Sequence, residues 1–129
     1  MRDVELIKAA NKTKENAYVP YSKFNVGAAL VTKSGNVYTG CNVEIASFGA
    51  TNCAERTAVF KAVSEEGKVE IDKIAIVSNL DDYIYPCGIC RQVLAEFAND
   101  DMEIICTKKD GSYKTIKLGE ILPNAFRSF

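Results

Sequence analysis

Two short segments gather most of the residues able to do chemistry: Asn52-Cys53-Ala54-Glu55-Arg56 and Pro86-Cys87-Gly88-Ile89-Cys90-Arg91-Gln92. The chain has no histidine at all. A metal must therefore be held by thiolates or carboxylates, and proton transfer must fall to Glu, Asp, Lys, Tyr or Cys. Serine and cysteine hydrolase arrangements built on histidine are excluded. Each segment reads as a loop turning into a helix, where the positive end of the helix dipole favours a thiolate. Side chains of a first helical turn tilt toward the N-terminus, so two helix starts can converge on one point. Cys53, Cys87 and Cys90 would then offer three sulfurs to one zinc. A closed structural site uses four ligands, whereas three and an open position describe a catalytic one.

Other readings of the same residues stand beside this. Cys87-x-x-Cys90 by itself also fits a redox pair or half of a structural zinc site. Asn52-x-x-Glu55 fits a capping box, in which Glu55 only satisfies a helix end. Cys41 and Cys106 fall in expected strands and read as small buried side chains, although either could complete a structural site. Five cysteines are an odd count, and the opening Met-Arg-Asp-Val-Glu has no apolar signal core. Metal binding or reactivity is thus expected over a disulfide framework, and the expected location is cytoplasmic.

The elements that must position these residues follow from patterning. Val4, Leu6, Ile7, Ala10 and Ala17 predict a first helix over 3–18, ended by Pro20. Strands are expected over 26–32 and 37–42, an antiparallel hairpin around Lys33-Ser34-Gly35-Asn36. After a loop over 43–51 comes a helix over 53–66, closed by Gly67. An apolar, β-branched strand over 73–78 and a third helix over 88–98 follow. Two strands over 103–107 and 112–117 flank Asp110-Gly111, and a helical turn near 118–122 precedes the tail. The order α-β-β-α-β-α-β-β over 129 residues predicts one domain, 1–129. Its class is α/β, a three-layer α/β/α sandwich on a mixed five-stranded sheet. Strands three and four, joined through a helix, are expected to run parallel by a right-handed crossover. The pairing of the last two strands stays open.

Cys53-Ala54-Glu55 followed by Pro86-Cys87-x-x-Cys90 resembles the signature of the zinc nucleoside deaminases, in the form where cysteine replaces the histidine ligand. Tyr18-Val-Pro-Tyr-Ser-Lys-Phe24-Asn-Val-Gly-Ala28, Asn42-Val43-Glu44 and Thr51 through Ala58 extend the similarity to the small homotetrameric cytidine deaminases, over nearly the full chain. The resemblance implies one zinc per subunit on Cys53, Cys87 and Cys90. Glu55 would move protons from water to N3 of the ring and then to departing ammonia. Arg56 would donate to the thiolates and offset their charge. Asn42 and Glu44 would meet the ribose, Glu44 at the 3′-hydroxyl, and Phe24 would stack near the base. Ala54, Ala46, Phe48 and Gly49 are implied at the substrate too, and Phe126 at the pocket of a neighbouring subunit. The expected reaction is hydrolysis of free cytidine and deoxycytidine to uridine and deoxyuridine, in pyrimidine salvage.

The chain departs from the family in one loop: Ile45-Ala46-Ser47-Phe48-Gly49 stands where Asn-Ala-Ser-Tyr-Gly is common. Phe48 keeps the aromatic ring and lacks the hydroxyl. Among rivals, a polynucleotide deaminase would need a basic, aromatic groove, which a net charge of -1 disfavours. A nucleotide deaminase would need phosphate donors. A cytosine-antibiotic deaminase shares the zinc motifs, while Glu44 favours an ordinary ribose. A zinc-stabilised module without turnover is the non-enzymatic alternative. No apolar run approaches the ~18 residues of a membrane span, and no nucleic-acid or membrane partner is expected.

Overall fold

The computed structural model describes residues 1–129. Five strands form a single sheet in the order β2-β1-β3-β4-β5: β1 is Val26–Thr32, β2 Val37–Cys41, β3 Ile71–Ser78, β4 Glu103–Thr107 and β5 Tyr113–Lys117. β3 and β4 run parallel, pairing Ile74 with Ile104. Every other neighbour is antiparallel, so the sheet is mixed. The open question about the last two strands is settled in favour of a hairpin, with Cys106 opposite Lys114.

Strand side chains alternate between faces, and that alternation divides the core in two. Val26, Ala28 and Leu30 of β1, Ile74 and Ile76 of β3, and Ile104 and Cys106 of β4 point to the larger core cluster. Their sequence neighbours Ala29, Val31, Ala75, Val77 and Ile105 point the other way. The first face is covered by α2 (Ala54–Glu66), α3 (Gly88–Phe97) and the short α4 (Leu118–Ile121). The second is covered by α1 (Asp3–Lys14) through Leu6 and Ala10. This is the three-layer sandwich expected from the order of elements.

Two glycines let helices approach the sheet. A β-carbon at Gly27 would lie 2.2 Å from the Ala10 carbonyl of α1, and one at Gly40 2.5 Å from the Ala58 amide of α2. The second contact seats α2 on β2 and so fixes the height of the turn that carries Cys53.

The first helix stops at Lys14, four residues short of the expected end. Tyr18 is taken by the sheet side instead: its amide donates to the Asn42 carbonyl and its carbonyl accepts from Glu44. Val4, counted in the apolar stripe, is exposed. The other elements lie within two residues of the expected bounds. No helix is long and apolar enough to cross a membrane.

Candidate active site

Cys53 and Cys87 are the N-cap residues of α2 and α3, both in extended conformation, and Cys90 lies in the first turn of α3. The three sulfurs lie within 4.8 Å of one another, Cys53 and Cys87 at 3.9 Å. Four ligands placed tetrahedrally at ~2.3 Å from zinc would set sulfurs ~3.8 Å apart, so this spacing fits. The Cys90 amide donates to the Cys87 sulfur at 3.5 Å, one of the helix-start donors that otherwise lack an intrahelical partner. Neither Cys41 nor Cys106 belongs to the cluster. Burial pushes the Cys106 thiol up to about 11, as suits an inert core side chain.

The electrostatics also call for a cation. A hydrogen bond from Cys90, and with it the Arg56 guanidinium, draws the Cys53 thiol well below its ordinary value against the effect of burial. Cys90, which gives that bond and lies in the interior, is driven up. Three sulfurs so close cannot all ionise without positive charge among them. Arg56 Nη2 donates to Cys53 Sγ at 3.2 Å, while its Nε is buried without a partner. The donor set and its spacing therefore fit zinc held by three thiolates.

Glu55 is 5% exposed. Burial pushes its carboxyl up to about 7, with the Cys53 charge adding to the effect, so it can both take and give a proton near neutrality. The capping-box alternative is absent: α2 has no side-chain cap, and Asn52 Nδ2 donates to Thr57 Oγ1 instead. A cavity of about 170 Å³ is lined by Cys53, Glu55 and Cys87 together with Phe24, Val26, Asn42, Ala54, Ile84 and Tyr85. That is below the ~300 Å³ floor usual for ligand sites, so it suits one ring rather than a whole nucleoside.

A second cavity of about 260 Å³ is lined by Tyr21, Ser22, Glu44, Phe48 and Thr51, in part from the same chain segments as the first. Ser22 lies in one cavity and Phe24 in the other; Glu44 lies in one and Asn42 in the other. Lys23, between Ser22 and Phe24, has a left-handed backbone with φ 59°. Glu44 is buried and heavily bonded: Oε1 accepts from the Tyr21 and Ser22 amides at 3.1 and 3.0 Å, and Oε2 accepts from the Ser22 hydroxyl. The Ser22 bonds hold its carboxyl below the usual range. Asn42 accepts from the Val26 amide at 2.9 Å and donates to the Phe24 carbonyl at 2.8 Å. Each side chain retains bonding capacity, since an ionised carboxylate has about four acceptor sites and an amide side chain can make about four bonds.

Ala46, Phe48 and Gly49 lie on an exposed loop, where Phe48 meets Tyr21 edge-on at 5.7 Å. Phe126 is not in its own chain's pocket. It lines a separate apolar groove with Phe60, Ile89, Val93 and Phe97, and its carbonyl accepts from Gln92 Nε2 at 2.6 Å. The sequence reading passed over Val26, Ile84, Tyr85 and the bond of Ser22 to Glu44. Ser22 lay inside a quoted motif, and Ile84 and Tyr85 immediately precede Pro86; nearness to those motifs was the available signal.

An α/β/α sandwich with a buried carboxyl beside three thiols, at the starts of two adjacent helices, defines the class of zinc-dependent hydrolases that act on a small planar ring. Comparison with known proteins agrees. The family model described as the cytidine and deoxycytidylate deaminase zinc-binding region matches residues 1–106. The chain is 48% identical over 125 residues to a cytidine deaminase of Sporosarcina psychrophila, covering 96% of this chain and 91% of that one. It is 50% identical over 121 residues to that of Halalkalibacterium halodurans, covering 94% and 91%. A crystal structure of cytidine deaminase from Burkholderia pseudomallei superposes with a TM-score of 0.92 at 45% identity, covering 98% of this chain and all of the other. The chain belongs to the cytidine and deoxycytidylate deaminase family.

Proposed function

We propose that this enzyme hydrolyses the 4-amino group of free cytidine and deoxycytidine, yielding uridine or deoxyuridine and ammonia. The observation that carries the reading is the buried Glu55 carboxyl beside three sulfurs within 4.8 Å of one another, in a cavity sized for one ring. Cys53, Cys87 and Cys90 would hold one zinc, which supplies the Lewis acidity that makes a water nucleophilic near neutral pH. Glu55 takes the proton of the attacking water and passes it to N3 as the oxygen adds to C4. It then takes the remaining proton of the oxygen now on C4 and delivers it to the amino nitrogen as the C4–N bond breaks, leaving a C4 carbonyl and ammonia. Arg56 balances thiolate charge through Cys53. Phe24 and Ala54 bound the ring, while Asn42 and Glu44 receive the ribose, Glu44 at the 3′-hydroxyl.

The exposed Ala46–Gly49 loop and the placement of Phe126 outside its own pocket support a homotetramer in which neighbours complete each other's sites. A cytoplasmic role in pyrimidine salvage suits this substrate. The test follows cytidine's ultraviolet absorbance with zinc-loaded wild type and Glu55→Ala. The variant is expected to keep its zinc and lose at least ~10²-fold in activity. Failure of zinc-loaded wild type to turn over either nucleoside would leave a zinc-stabilised module as the reading.

A further inference from the structure

Tyr85 lines the ring cavity and has no part in the chemistry above. It is 40% exposed, and a cation lies over its ring. The Lys114 ammonium lies 5.0 Å from the centre of the Tyr85 ring and 4.8 Å from that of Tyr83, and Lys108 lies 4.6 Å from the latter. Both lysines belong to the β4–β5 hairpin region, Lys114 in β5 and Lys108 just after β4. The backbone of the same loop is strapped to that hairpin: the Ile84 amide donates to the Thr107 carbonyl at 3.1 Å, and the Lys109 amide to that of Leu80 at 2.8 Å. The wall formed by Ile84 and Tyr85 is therefore braced by the sheet edge.

The ring of a cytosine has few ways to sit in this cavity, given the deamination reading on which this inference rests. C4 must face the sulfurs, and N1, opposite it on the ring, then faces Asn42 on the side of the Glu44 cavity. Glu55 must lie along the N3 flank to exchange its proton. The remaining in-plane flank carries C5. Val26 comes from β1, Phe24 from just before it and Ala54 from the start of α2, which leaves Ile84 and Tyr85, beside Cys87, for that edge; Ile84 is packed into the core, so Tyr85 is the one open to the cavity. A cavity of about 170 Å³ has little room for an added substituent.

We infer that the Tyr85 ring, braced by Lys114, closes the C5 edge of the pocket and selects cytosines that carry hydrogen there. It is a specificity-determining residue, and Lys114 positions it. Deamination of 5-methylcytidine uses the same water and releases the same ammonia, so the two substrates differ only in the methyl group.

The experiment measures kcat/KM for cytidine and 5-methylcytidine with zinc-loaded wild type, Tyr85→Ser, Tyr85→Phe and Lys114→Met. One methyl group in a fitted pocket is worth ~10–200-fold. The ratio of the two kcat/KM values is expected to shift at least ~10-fold toward 5-methylcytidine in Tyr85→Ser. Tyr85→Phe, which keeps the ring, should hold the wild-type ratio, and Lys114→Met should shift it in the direction of Tyr85→Ser with zinc content unchanged. A ratio in Tyr85→Ser equal to wild type overturns the assignment. If that variant does not fold, an unshifted Lys114→Met overturns it. Loss of cytidine turnover in wild type instead removes the deaminase reading and this inference together.

Discussion

Replacing Arg56 by Gln removes the one cation that the structure places against the sulfur cluster. Three thiolates and a zinc ion sum to a formal charge of about -1, which the guanidinium cancels. At the observed 3.2 Å from Cys53 Sγ, unit charges interact by roughly 5 kcal/mol at an effective dielectric of 20. That figure is a ceiling, because the guanidinium is only half-buried and solvent screens part of the attraction. Hydrogen bonds to charged groups contribute ~1.5–3 kcal/mol net. The lower end applies here, and ~1.4 kcal/mol corresponds to tenfold in an equilibrium constant. Substitution of residues that bond to metal ligands elsewhere costs about 10–100-fold in affinity, so two independent routes meet near tenfold.

The assay is competition for zinc against a chromophoric chelator at neutral pH. Arg56→Gln should raise the zinc dissociation constant by ~10-fold. Arg56→Lys keeps the charge but lacks the planar fork, and should fall between Gln and wild type. A Gln variant whose affinity stays within about twofold of wild type, a difference under ~0.5 kcal/mol, would refute the charge-balance role. Arg56 would then be a packing residue that happens to touch sulfur.

Two further outcomes follow from other parts of the structure. Glu66 accepts from Tyr38 Oη at 2.7 Å, Asn36 Nδ2 at 2.8 Å and Ser34 Oγ at 3.0 Å, which holds its carboxyl below the ordinary 4.5, chiefly through Tyr38. A lowered folded-state value stabilises above the unfolded value and is lost as pH falls through the folded one; Glu66→Gln should therefore flatten the fall of Tm with acid below pH 4.5, and parallel Tm profiles would contradict it. Light scattering of the zinc-loaded protein should give the mass of four chains, since Phe60, Ile89 and Phe126 lie 49–62% exposed around one apolar groove; a fully active monomer would end the shared-site proposal.

What the sequence disclosed, and what it withheld, divides by the range of the interactions involved. The grouping of Cys53 with Glu55, and of Cys87 with Cys90, is legible because each pair sits within one helical turn, where spacing sets direction; their chemistry is read from the resemblance, since spacing also allows a capping box and a redox pair. The convergence of the two turns depends on β2 and β3 running the same way, each antiparallel to β1 between them, and the β1–β3 pairing is not written in the local patterning. The end of α1 was not legible: Ala17 continues the apolar stripe, yet the Tyr18 backbone is drawn into hydrogen bonds with Asn42 and Glu44, more than twenty residues away.

Glu44 shows the same limit at the site itself. Read locally, it is one of a pair of polar residues at the end of a strand. In the fold it is buried, with donors supplied by Tyr21 and Ser22, just before the left-handed Lys23. A carboxylate oriented by its own chain on both oxygens is fixed before any ligand arrives, which lowers the ordering cost of binding. The same logic applies to Tyr85, whose place depends on a lysine from β5 that no motif points to. Chemistry in this chain is thus written in short segments, while the shape that selects what reaches it is set by contacts between segments far apart. Substitutions at Cys53, Glu55, Cys87 or Cys90 should act on turnover or metal, and those at Lys114 or Ser22 on which substrate is accepted.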